Sequence, residues 1–102
     1  MTLVEIKSIL ESSGLPVTYY AWPEKEAPPL PYICYRVSYK NMAADGKVYH
    51  QVKHIVAELY TRNKDELCEK KMEDVIKDYF WTKDEDYIES EKCFMITYEV
   101  EV

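Results

Sequence analysis

VYHQVKHIVAELYT, residues 48–61, decides the architecture of this 102-residue chain. The run holds neither Pro nor Gly and is rich in β-formers, so it predicts one long strand. YICYRVSY, residues 32–39, is its partner. Asp45-Gly46 lies just before the long run, and Gly accepts the positive φ of a tight turn at no steric cost. The two runs are therefore expected to pair antiparallel across a connection at 40–47. Fourteen strand residues reach about 45 Å, whereas a domain of this size is only about 35 Å across. The hairpin must protrude, or fold over the body at a β-bulge. Ile55, Ala57 and Leu59 share one face and read as core. Tyr49, Gln51 and Lys53 continue that face in a form suited to solvent or a partner. The other face, Val48 to Tyr60, is mixed. A protruding arm with Met42, Ala43 and Ala44 at its tip is an assembly device in kind, not a catalytic one.

Working outward, Thr2-Leu3-Val4-Glu5 is a capping box that starts a helix over 2–13. Leu3, Ile6, Ile9 and Leu10 form its apolar stripe, and Gly14 and Pro16 end it. VTYYAW, 17–22, predicts a short strand. PEKEAPPLP, 23–31, predicts a stiff, extended connection of polyproline type. After the hairpin, Asn63 with Glu66 predicts a second capped helix. Its apolar side is Cys68, Met72, Val75, Ile76 and Tyr79. Glu66, Glu69, Lys70, Lys71, Glu73 and Lys77 are expected on its solvated side. Phe80-Trp81 and Thr82 predict a short strand, and 84–91 an acidic connection with room for part of a strand. KCFMITYEVEV, 92–102, predicts the last strand, with one face ending in Glu99 and Glu101. The order α-β-β-β-α-β-β predicts a single α+β domain over 1–102, a mainly antiparallel sheet with two helices on one face and a long protruding hairpin.

The net charge of −6 argues against a partner bound through its phosphates. Three cysteines without regular spacing predict reduced, buried thiols. No signal peptide or membrane-length apolar run is apparent, so the chain is expected to stay inside the cell and off the membrane. His50 and His54 fall on one strand face about 13 Å apart, too far to share a zinc ion within one chain. The two glycines are consumed by a helix end and a turn, leaving no phosphate-cradling loop. No nucleophile with a base is visible. No catalytic, cofactor or metal residue is therefore assigned, and the chain is expected not to be an enzyme.

WPEKEAPPLPYICY, ADGKVYHQVKHIVAELYT and YIESEKCFMITYEVEV, with the charged helix between the last two, resemble the small tail-terminator, or head–tail joining (minor capsid), proteins of long-tailed phages and prophages of Gram-positive bacteria. The likeness runs from about Val17 to the C-terminus. It implies a structural protein without enzymatic activity or cofactor. Such a protein forms a homo-hexameric ring that caps the tail tube, contacts tail-tube protein and head connector, and is made in the host cytoplasm before it enters the virion. An acidic lumen would let DNA pass without sticking. The expected interface residues are Met42, Ala43, Ala44, Asp45, Lys47, Tyr49 and Gln51 in the arm, and Asp84, Glu85 and Asp86 in the acidic connection. Two rivals stand beside this expectation. One is a head-completion or neck connector ring; the other is a monomeric ferredoxin-like module that binds protein, or stacks RNA bases on Tyr32, Tyr35, Tyr39 or Tyr49.

Overall fold

The computed structural model describes the backbone of residues 2–44 and 47–102, and the side chains of 2–38 and 54–102. The expected Asp45-Gly46 turn lies outside the described residues. The elements are α1 (Leu3–Glu11), β1 (Val17–Tyr19), β2 (Tyr32–Ala44), β3 (Lys47–Thr61), α2 (Glu66–Ile76), β4 (Phe80–Ile88) and β5 (Cys93–Glu101). They form one α+β fold with a five-stranded sheet in the order β1-β2-β3-β5-β4. Among the described strands only β1 runs parallel to its neighbour.

Both helices lie on one face of the sheet, and the period-2 pattern of the strands explains why. Three cross-strand rows, Ile33–Leu59–Ile96, Tyr35–Ala57–Tyr98 and Val37–Ile55–Val100, point to that face. Ile6 and Leu10 of α1 and Cys68, Met72 and Ile76 of α2 close over them as one core. In the middle row a small residue separates two rings, so the tyrosines fill the space that Ala57 leaves. Such size complementarity lets an interior pack to crystal-like density.

Thr2 caps α1 as the sequence predicts: its Oγ1 accepts from Glu5 N–H at 3.2 Å, and Glu5 Oε1 accepts from Thr2 N–H at 3.3 Å. Gly14 follows the helix at φ +88°, where a side chain would be strained. The second cap is not the expected one. Asp65, not Asn63, accepts from Cys68 N–H at 3.1 Å and starts α2. That phase turns Cys68, Met72 and Ile76 onto the sheet.

The strands are longer than their sequence signals. β2 runs on to Ala44, so most of the expected connection at 40–47 is strand. Residues 80–88 form nine residues of strand instead of a stub and an acidic connection. β5 pairs β4 along its whole length, from Phe80↔Glu101 to Ile88↔Cys93. A full-length partner overrides the weak β-preference of Lys83, Asp84, Glu85 and Asp86. The first strand, in contrast, stops at Tyr19.

Candidate functional site

The sheet has two features that its core does not need: a ribbon that outruns it and a face no helix covers. β5 follows β3 only from Thr61 to His54. Beyond that point 47–53 pair with β2 alone, through six residue pairs from Tyr39↔Lys53 to Ala44↔Lys47. The register slips between Met42 and Ala43 so that Tyr49 is passed over, which is a β-bulge. Protrusion and bulge were alternatives in the sequence; the structure has both, with the bulge inside the two-stranded part. The molecule is correspondingly elongated, 48 × 28 × 24 Å, with a radius of gyration of 14.8 Å. Met42, Ala43, Ala44, Lys47, Tyr49 and Gln51 are backbone positions of this ribbon, with side chains outside the described residues; Asp45 lies outside them altogether.

The open face is built from alternate residues of the same strands. At β4 and β5 it presents Phe80 beside Glu101, Thr82 beside Glu99, Asp84 beside Thr97 and Asp86 beside Met95. Phe80 is 73% exposed, an unusual position for a large ring. Two shallow hollows, about 120 and 330 Å³, adjoin on this surface and share Thr82 and Glu99. Among the described residues Asp84, Asp86 and Glu99 make no ion pair, while Glu101 lies 3.7 Å from His54 at the base of the ribbon. β4 is also an outer strand, and charges there discourage unwanted strand pairing.

Strand alternation divides the expected acidic trio. Asp84 and Asp86 sit on the open face; Glu85 points to the helix side and pairs with Lys64. Glu85 is part of a clasp between α2 and β4 that the sequence did not disclose. Glu69 was expected on a solvated helix side, yet it is only 4% exposed. Lys64 Nζ lies 2.7 Å from its Oε2, and Lys83 Nζ 3.0 Å from its Oε1. Lys83 also reaches Glu73 at 2.8 Å, and the buried Tyr98 hydroxyl donates to Glu73 at 2.7 Å. Burial pushes the Glu69 pKa up, but the two ammonium groups outweigh it and hold the carboxyl below its ordinary range. Tyr98 is raised, by burial first and then by its bond to Glu73. A signal existed: Glu69 stands three residues before Met72 and seven before Ile76, on the stripe that faces the sheet. Leu67, which hydropathy alone would bury, is 77% exposed.

At the other end of the open face the proline-rich segment crosses Tyr32 and Tyr60, leaving a hollow of about 260 Å³ that Arg62, Glu91 and Cys93 also line. Trp22 meets Tyr32 edge-on there and Tyr32 meets Tyr60 at a tilt, with ring centroids 5.7 and 5.4 Å apart. Tyr35 is 3% exposed beneath the helices and meets Tyr19 edge-on, so it offers no ring to a nucleic-acid base. Cys34, Cys68 and Cys93 are free and buried, as their pattern predicts. Burial raises the Cys34 thiol to about 11.

Among the described residues, no three His, Cys, Asp or Glu side chains converge as metal ligands. No helix among them is long and apolar enough to cross a membrane. Compared with known families, curated proteins and solved structures, the chain finds no match.

Proposed function

We propose that this chain is a structural ring subunit of a long-tailed phage or prophage. It would terminate the tail tube and join it to the head. The observation that carries the proposal is the two-stranded ribbon beyond the sheet. A lone two-stranded ribbon is marginal in water and is usefully kept when a neighbour covers it. The likeness of residues 17–102 to tail-terminator and head–tail joining proteins supports the same conclusion. The partners would be further copies of the chain, as a hexamer in the virion, with tail-tube protein on one side and a head connector on the other. The body's negative charge suits a passage for DNA, because it repels phosphate. On this reading the chain binds no specific nucleic-acid sequence, no membrane and no cofactor, and catalyses nothing. It acts in the host cytoplasm during assembly and then in the particle.

Light scattering of the chain, alone and with the matching tail-tube protein, tests this. A discrete ring mass, alone or at tube ends, is expected, together with tubes of fixed length. Binding to head connector and not to tube would move the protein to the head side of the junction. A monomer indifferent to both would contradict the proposal.

A further inference from the structure

Charge is divided unequally between the ribbon and the rest of the chain. Residues 39–53 contain Lys40, Lys47 and Lys53 against Asp45 alone, a net of +2. The whole chain carries −6, so the remainder carries −8. The ribbon is therefore a basic segment of an otherwise acidic protein. Its own acidic face is not placed to receive it. The ribbon leaves the sheet at His54, which pairs with Glu101, and Glu101 in turn pairs with Phe80. The open surface of β4 and β5 lies behind that line, and the ribbon leads away from it.

We propose that the ribbon of one copy seats on the open β4–β5 face of a second copy. Lys40 and Lys47, whose positions fall on one face of the ribbon by the strand register, supply the charge, and Asp84, Asp86, Glu99 and Glu101 receive it. The acceptor is the open sheet surface with the two adjoining hollows at Thr82 and Glu99. Exposed Phe80 gives it an apolar margin, matched to the apolar run Met42-Ala43-Ala44 in the ribbon. Six residue pairs of ribbon span about 20 Å, enough to cross several strands. Donor and acceptor are different patches, so each copy gives one contact and takes one. A head-to-tail contact of this kind closes into a ring when its rotation permits. The inference rests on the ring-subunit proposal and adds to it which surfaces meet.

The test uses the full chain in three charge forms, with tail-tube protein added if assembly needs it. One variant carries K40E and K47E. The second carries D84K, D86K, E99K and E101K. Each alone opposes like charges, and association is expected to weaken about 100-fold, since such juxtapositions cost several kcal/mol. Mixing the two makes both contacts complementary again, so assembly in alternating order should return. Circular dichroism confirms that each variant is folded. On the unaltered chain, zero-length coupling of a mixture of isotope-labelled and unlabelled copies should join ribbon lysines to the four acids between molecules. If the chain assembles and neither reversal matters, the ribbon docking is wrong and the ring survives. If the ribbon reversal weakens assembly but mixing does not restore it, the acceptor face is wrong. If the unaltered chain never assembles, both proposals fall.

Discussion

One hairpin contributes two kinds of structure to this protein. In its lower half, β2 and β3 have neighbours on both sides, and their rows of Ile33, Tyr35, Ala57 and Leu59 are sealed by two helices. In its upper half the same two strands have only each other. The backbone hydrogen-bonding pattern continues across the boundary, but its support does not. Burial of apolar area stabilises the lower half, at roughly 25 cal/mol per Å². In the upper half the described structure is the backbone ladder, which is worth little net in water. A chain that lengthens a strand past its own core is therefore holding that segment for something outside the core.

The largest effect expected from breaking this contrast is in the lower half. Leu59→Ala should cost about 2–5 kcal/mol, because Leu59 is fully buried and its truncation leaves a cavity in the core. Denaturant unfolding reads this directly, and an equivalent truncation at Val52 in the ribbon should cost far less. Next comes the clasp. Glu69→Ala leaves two ammonium groups without their shared carboxylate. Lys64 is 41% exposed and can turn to water, so the cost should be about 1–3 kcal/mol, below that of breaking a wholly buried pair.

The clasp also has a pH signature. The folded pKa of Glu69 lies below its ordinary value, so its contribution is complete above the unfolded carboxylate pKa, about 4.3. It is lost as pH falls from there through the folded value. Unfolding curves at pH 7 and pH 3 should diverge more for the unaltered chain than for Glu69→Gln. An effect of the opposite sign belongs to Cys34. Its thiol is raised from 9.0 to about 11, so its contribution is complete below 9 and is lost as pH rises through about 11. Cys34→Ala should flatten the alkaline limb.

The smallest effect is local. Lys92 sits at φ +50° in the tight turn before β5. Glycine there should stabilise by up to about 1 kcal/mol, since only a residue without a Cβ adopts this backbone freely.

These regions also differ in how well the sequence disclosed them. The core strands, the Thr2 cap, the helix stripes and the element order follow from local patterns of period 2 and 3.6, which residues such as Ile55 and Leu59 state plainly. The extent of β4 did not, because Lys83 to Asp86 read as a charged loop until β5 is laid beside them. The split of Asp84 and Asp86 from Glu85 needs a strand where a connection was expected. The burial of Glu69 depends on Lys64 and Lys83, which arrive from outside its helix. Contacts that join distant segments have no signature in either segment alone. The ribbon shows both cases: the length of its β3 side was legible, because a strand too long for its domain is a local fact, whereas 40–44 of β2 read as a connection until β3 is laid beside them.

The central claim is that the ribbon serves assembly while the body supplies stability. Removing 41–51 and joining the facing residues Lys40 and Val52 through Asn-Gly tests it most directly, with melting temperature and light-scattering mass read on the same sample. The account predicts a stability change below about 1 kcal/mol, or a few degrees, with loss of the assembled species. Intact assembly after the deletion, or collapse of the fold itself, would contradict it.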